Sequence, residues 1–124
     1  EYPSKVRGKF SRKIPKEIIE ENTFRESEWM SSHLRTFKYK LWKEIKRDDF
    51  LEEDGSFCSG AWDMRFMFPM LEMSKHRSFF VEDILHVYNR GNPLNEDKVD
   101  HQKLLRSEKT IRNKSKYKEI IYDK

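Results

Sequence analysis

Cysteine is almost missing from this chain of 124 residues. Cys58 stands alone, so no internal disulfide can form, and its expected role is that of a small buried hydrophobe in a reducing compartment. Long apolar runs are missing too. Nothing approaches the ~18 to 20 residues that a membrane span needs, and no signal peptide opens the chain, so a soluble, cytoplasmic protein is expected, any membrane association being left to further sequence. An excess of one charge is also absent. The 26 basic and 22 acidic residues leave a net charge of +4, too small and too interspersed to imply nucleic-acid binding by itself. The four histidines, His33, His76, His86 and His101, have no ligand spacing with one another or with Cys58, and no Gly-x-Ser-x-Gly nucleophile setting occurs. The sequence therefore indicates neither a metal site nor a hydrolase.

What is present is an aromatic-rich and highly charged chain. Charged residues make up 39% and apolar residues 35%, a low apolar share for a compact domain, yet nine Phe, five Tyr and three Trp are far too many for a disordered one. A single domain of this length buries roughly two thirds of the surface exposed by its unfolded chain. If the chain is a piece of something larger, part of its aromatic complement is expected to form an exposed apolar face.

Residues 1–13 carry Pro3, Gly8 and several Lys and Arg without an apolar period and read as a loop or mobile arm. Pro15 suits a first helical turn and Ile18 and Ile19 share a side, predicting a short helix there. Leu34, Phe37, Leu41, Trp42 and Ile45 recur at helical spacing opposite a Lys-rich face, predicting the clearest helix of the chain. A second helix is expected over 62–73, with Trp62, Phe66, Met70 and Met73 on one face and Pro69 either kinking it or lying close enough to its start to be tolerated. The row Met64, Met67, Met70 and Met73 is expected to fill a core. Segments 78–81 and 84–88 are strand-like in composition, 89–95 is a turn-rich loop, and 97–112 a final helix. The last dozen residues are Lys-rich and expected to fray, although Ile120, Ile121 and Tyr122 could dock.

Three stretches carry a resemblance. Ser32-His33-Leu34-Arg35-Thr36-Phe37, the run Asp-Gly-Ser-Phe-Cys-Ser-Gly-Ala-Trp-Asp-Met-Arg-Phe-Met-Phe-Pro-Met-Leu-Glu-Met over 54–73, and Tyr88-Asn89-Arg90-Gly91-Asn92-Pro93 stand in the order found in the second half of nucleotide-sugar glycosyltransferases of the GT-A fold. The match is most similar to the inverting group called family 2 and spans about three quarters of the chain, residues 11–100. The resemblance implies an α/β fold for the whole transferase domain, 14–112 being its C-terminal, acceptor-side half, helix-rich with one or two short strands, followed by a Lys-rich tail at 113–124. Such enzymes carry an Asp-x-Asp metal motif in their N-terminal half. This chain has none, since Asp48-Asp49 and Glu52-Glu53-Asp54 do not form that pattern. A divalent Mn or Mg ion is thus expected to be held mainly by a preceding half, and the fragment alone is expected to be inactive.

Inverting transfer needs a base that takes the proton of the acceptor hydroxyl as it attacks the anomeric carbon. The resemblance places that base at Asp63, where helix N-terminal amides also favour a carboxylate. A plain helix cap is the structural alternative. His33, Arg35, Trp62, Asn89, Arg90 and Asn92 are the accompanying substrate-binding candidates, for a nucleotide-sugar donor and a carbohydrate or lipid-linked acceptor. Arginine suits bidentate anion contacts, whereas a lone histidine near a helix start is commonly a packing residue, and Asn-Arg-Gly-Asn-Pro is also what a tight reversal requires. The reading from a different class is a basic helical module that docks nucleic acid or a protein partner through Lys-rich faces and exposed aromatics.

Overall fold

The helix Trp62–Ser74 organises the molecule. In the computed structural model, which describes residues 11–89 and 91–122 apart from the side chains at 96 and 97, this helix is buried on nearly every side from Met64 onward. Tyr39–Lys43 and His101–Arg112 pack against it, Lys16–Glu21 adds Ile18 and Ile19 to the same core, and Glu96–Val99 packs on His101–Arg112. In chain order these are α1 (Lys16–Glu21), α2 (Tyr39–Lys43), α3 (Trp62–Ser74), α4 (Glu96–Val99) and α5 (His101–Arg112). Single 3-10 turns at Arg47–Phe50 and Lys75–Arg77 complete the regular structure.

All four expected core methionines, Met64, Met67, Met70 and Met73, are buried, together with Phe24, Phe68, Leu71 and Ile111. Ile18 and Ile19 of α1, Leu41 of α2 and Leu104 of α5 pack around them. Each large side chain fully removed from water contributes ~1.5–3 kcal/mol. Pro69 lies inside α3 and is itself fully buried. Its missing N–H costs a helix about 3 kcal/mol, which close packing on all sides of α3 offsets. A left-handed Ala61 starts the helix and a positive-φ Lys75 ends it.

Three expectations need correction. Helical periodicity from Leu34 predicts a helix through Ile45, but α2 spans only Tyr39–Lys43. Leu34 and Phe37 remain exposed, and Arg35 is instead held by the carbonyl of Ser32 and the carboxylate of Asp63, contacts that set the path of 32–38. Segments 78–81 and 84–88 form no strand. Strands need a neighbouring backbone, and among the described residues the only bridge is the isolated pair Leu51 and Phe57. The tail does not fray over 113–122: the Ile120 N–H donates to the Met73 carbonyl at 2.9 Å, Lys116 pairs with Glu26, and Lys114 pairs with Asp48. Most of the arm assigned to 1–13 lies outside the described residues.

The tail docks on a buried polar centre. Arg25 forms a two-pronged pair with Glu72, Nε to Oε1 at 2.5 Å and Nη2 to Oε2 at 3.1 Å, and also donates to the Ile111 carbonyl at 3.0 Å. Glu72 accepts the Tyr117 N–H at 2.7 Å, and the Tyr117 hydroxyl donates to Asp49. Burial pushes the carboxyls of Glu72 and Asp49 above their ordinary range and, with the Asp49 bond, raises the Tyr117 phenol. A second buried guanidinium, Arg65, donates to the carbonyls of Asp49 and Leu51, both at 3.1 Å, and to Glu52 at 2.8 Å. These bonds satisfy charges that would otherwise be prohibitive inside a core.

Candidate functional site

Asp63 occupies the first turn of α3, where unpaired amides face outward. Its Oδ2 accepts a hydrogen bond from Arg35 Nη2 at 3.0 Å and its Oδ1 accepts the Met64 N–H at 3.1 Å. The carboxylate is therefore more than a cap. Its side chain is 36% exposed, while that of Arg35 is only 10% exposed, so the pair sits at the surface with the cation on the inner side.

Arg35 is fixed from several directions. Its Nε donates to the Ser32 carbonyl at 3.1 Å, and its guanidinium carbon lies 5.9 Å from the Trp29 ring centre and 6.0 Å from that of Phe66. Aromatic faces attract a cation, and here they also shield it from water. Burial draws the Arg35 pKa down, against the opposing pull of Asp63, yet a guanidinium stays charged.

His33 packs on the far side of this arrangement. Its ring lies 5.0 Å from His86 and stacks at 5.7 Å on Tyr88. Burial lowers the His33 pKa, and the positive charge of Arg35 and the neighbouring His86 lower it further, while Asp63 works the other way. An uncharged imidazole at neutral pH results. The residues His86 and Tyr88 are a part of the site that the sequence reading did not assign to it, and the signal is the aromatic pair at 86 and 88 just ahead of the Asn-Arg-Gly-Asn run.

Trp62 is 47% exposed and its ring lies 5.8 Å from Phe57. Phe57 stacks on Phe50, Phe50 meets Trp42, and Trp42 meets Phe37 and Phe66 at 6.0 and 5.7 Å. Phe66 thus lies under both the aromatic row and Arg35.

Asn89 and Asn92 serve turns. Asn89 Oδ1 accepts the Gly91 N–H and Asn92 Oδ1 accepts the Leu94 N–H, both at 3.0 Å, and both asparagines are exposed. The stack of Tyr88 on His33 brings the start of this loop to the site. Arg90 lies outside the described residues.

Among the described residues no three His, Cys, Asp or Glu side chains converge on a position for a metal ion. His33, His86 and Asp63 do not form such a set, so these residues do not fit a divalent ion by themselves. No described helix is long and apolar enough to cross a membrane. A small void of about 10 Å³ between Trp29, Phe24 and Leu71 holds no more than a water, and an open groove of about 380 Å³ lies between the 52–59 loop and Lys103, Arg106 and Ser107. Neither reaches Asp63. No protein-family model, curated protein or solved structure matches the chain.

Proposed function

We propose that this chain is the acceptor-side part of an inverting glycosyltransferase of the family 2 type, within an α/β domain whose donor-binding half is separate. The complete enzyme moves a sugar from a nucleotide-diphosphate donor to the hydroxyl of a carbohydrate or lipid-linked acceptor. Asp63 takes the hydroxyl proton as the acceptor oxygen attacks the anomeric carbon, and the bond from that carbon to the diphosphate breaks on the opposite face. The observation that carries this reading is the Arg35–Asp63 pair, a carboxylate at a helix start, partly open to solvent and clamped by a part-buried cation on aromatic faces. A merely structural surface pair would not need so built a support.

Other features agree with it. Phe79, Ile84, Leu85 and Val87 stand in solvent at 60–90% exposure along a segment whose composition suits a sheet, as expected of a surface meant for a neighbouring half. Three lysines are engaged by acids, Lys16 by Glu20, Lys114 by Asp48 and Lys116 by Glu26. Arg35, enclosed by Asp63 and two rings, fits a role in holding the base better than one in contacting the diphosphate.

The test is Asp63→Asn in the full-length protein. Transfer falls by about 100-fold or more, the usual contribution of a general base, with an unchanged circular dichroism spectrum. An Asn variant with ordinary activity overturns the base assignment.

A further inference from the structure

Two exposed apolar surfaces differ in chemistry. The one at 79–87 is mainly aliphatic, with Val81, Ile84, Leu85 and Val87 beside Phe79. The other is wholly aromatic: Phe37, Trp42, Phe57 and Trp62 are each 37–57% exposed and are joined ring to ring through the part-buried Phe50 and Phe66. Aliphatic surface suits the side chains of another protein segment. Aromatic faces flanked by charged and hydroxyl groups suit a ligand whose one side is C–H and whose rim is polar.

A pyranose ring is such a ligand, since its axial C–H bonds, slightly positive, lie on the negative face of an aromatic ring, while its equatorial hydroxyls reach outward to hydrogen-bonding groups. Those groups are at hand. Asp63 follows Trp62 directly, Ser59 is exposed two residues after Phe57, and Arg35 shares Phe66 with the aromatic row. The rings sit 5.7–6.3 Å apart and brace each other, so they are held in place before any ligand arrives.

We propose that the row Phe37, Trp42, Phe57 and Trp62 is a carbohydrate platform that carries the sugar chain of the acceptor up to Asp63. This rests on the transferase reading for the role of Asp63, and it narrows the acceptor to one with at least two sugar rings, because a single ring would leave most of the row uncovered.

The experiment follows the indole N–H signals of the three tryptophans of the chain while cellohexaose, maltohexaose and chitohexaose are added in turn. Trp29, packed edge-on against Phe68 at 5.3 Å, serves as the internal reference. At least one of the hexasaccharides shifts the Trp42 and Trp62 signals with a dissociation constant of about 1 mM. Trp62→Ala weakens that binding about fivefold or more, Phe57→Ala weakens it similarly, and Trp62→Phe retains most of it. Absence of any shift with all three sugars overturns the platform. So does binding indifferent to Trp62→Ala, an equal shift with uridine diphosphate, or a concentration-dependent dimer that Trp62→Ala abolishes, which would make the row a protein contact. Leu85→Ser, on the separate aliphatic surface, leaves sugar binding unchanged, while Asp63→Asn is assayed for transfer in the full-length protein. Sugar binding together with an active full-length Asn variant therefore removes the base and keeps the platform, whereas an inactive Asn variant without sugar binding does the reverse.

Discussion

Arg35 and Asp63, 28 residues apart in sequence, meet at 3.0 Å with the guanidinium inside and the carboxylate outside. The pair joins the loop ahead of α2 to the first turn of α3, so it fixes where the carboxylate points as well as its charge. Replacing Arg35 by Met leaves Asp63 unpaired and strips the cation from Trp29 and Phe66. An expected loss of about 1–2 kcal/mol lies between the values for exposed and buried pairs. Arg35→Lys keeps the charge but cannot reach Ser32 and Asp63 together, and falls between wild type and Met. Urea denaturation of the three proteins checks the order.

Tyr117 is the anchor of the tail. Its hydroxyl donates to Asp49 and accepts the Lys46 N–H at 2.7 Å. Tyr117→Phe leaves both groups short of a partner and is expected to cost about 1–3 kcal/mol. A Phe variant as stable as wild type would show that the tail contributes nothing through this hydroxyl.

The buried Glu72 and the part-buried Glu52 are expected to respond to pH in opposite directions. Burial lifts the Glu72 pKa above its ordinary 4.5, more than Arg25 and the Tyr117 N–H lower it. Between 4.5 and the raised value the folded protein keeps a proton that the unfolded chain has released, so the contribution of Glu72 is largest below that window and falls as pH rises through it. For Glu52 burial also pushes upward, but the Ser107 hydroxyl, the Ser59 N–H and Arg65 together bring its pKa below 4.5. Its contribution is present above 4.5 and is lost as pH falls through the lowered value. The stability difference between wild type and Glu72→Gln should thus shrink with rising pH, and that between wild type and Glu52→Gln should grow. Denaturant titrations across the carboxylate range read both slopes, and parallel slopes would refute the assignment.

Hydrogen exchange separates the surfaces. Among the described residues, 79–87 make no backbone–backbone hydrogen bond, whereas α3 is sealed in the core. Amides of 79–87 should exchange at nearly unprotected rates in the chain alone, and those in the second half of α3 only on global unfolding. Protection of 79–87 in the full-length protein would place a neighbouring segment over it.

Much of the helical frame is legible in the sequence. Pro15 with Ile18 and Ile19 marks α1 and the Met row marks the buried character of α3, whereas the single helix expected over 97–112 breaks at Asp100, whose carboxylate accepts the Lys103 N–H at 2.9 Å and starts α5. The stretch 34–38 is not legible, because periodicity reports which side chains could face a core and is blind to a guanidinium drawn to Asp63. Strand propensity at 78–88 likewise says nothing about whether a partner backbone is present. The Arg25–Glu72 pair spans 47 residues between two types normally found in water, so no local pattern reveals it. In the tail, Ile120 is among the residues expected to dock and does so, whereas Tyr117 is concealed among lysines. At the site, Asp63 and Arg35 each stand in a recognisable motif, but their mutual contact and the stacking of His33 on Tyr88 arise only from the fold.

The Arg25–Glu72–Tyr117–Asp49 centre draws on four distant points of the chain. Until residue 117 has left the ribosome, Glu72 lacks its amide donor and Asp49 its phenol, so nascent chains carry two carboxylates short of hydrogen bonds. Synthesis that stops between residues 112 and 117 would yield a product open to proteases and chaperones, although all five described helices had already been translated.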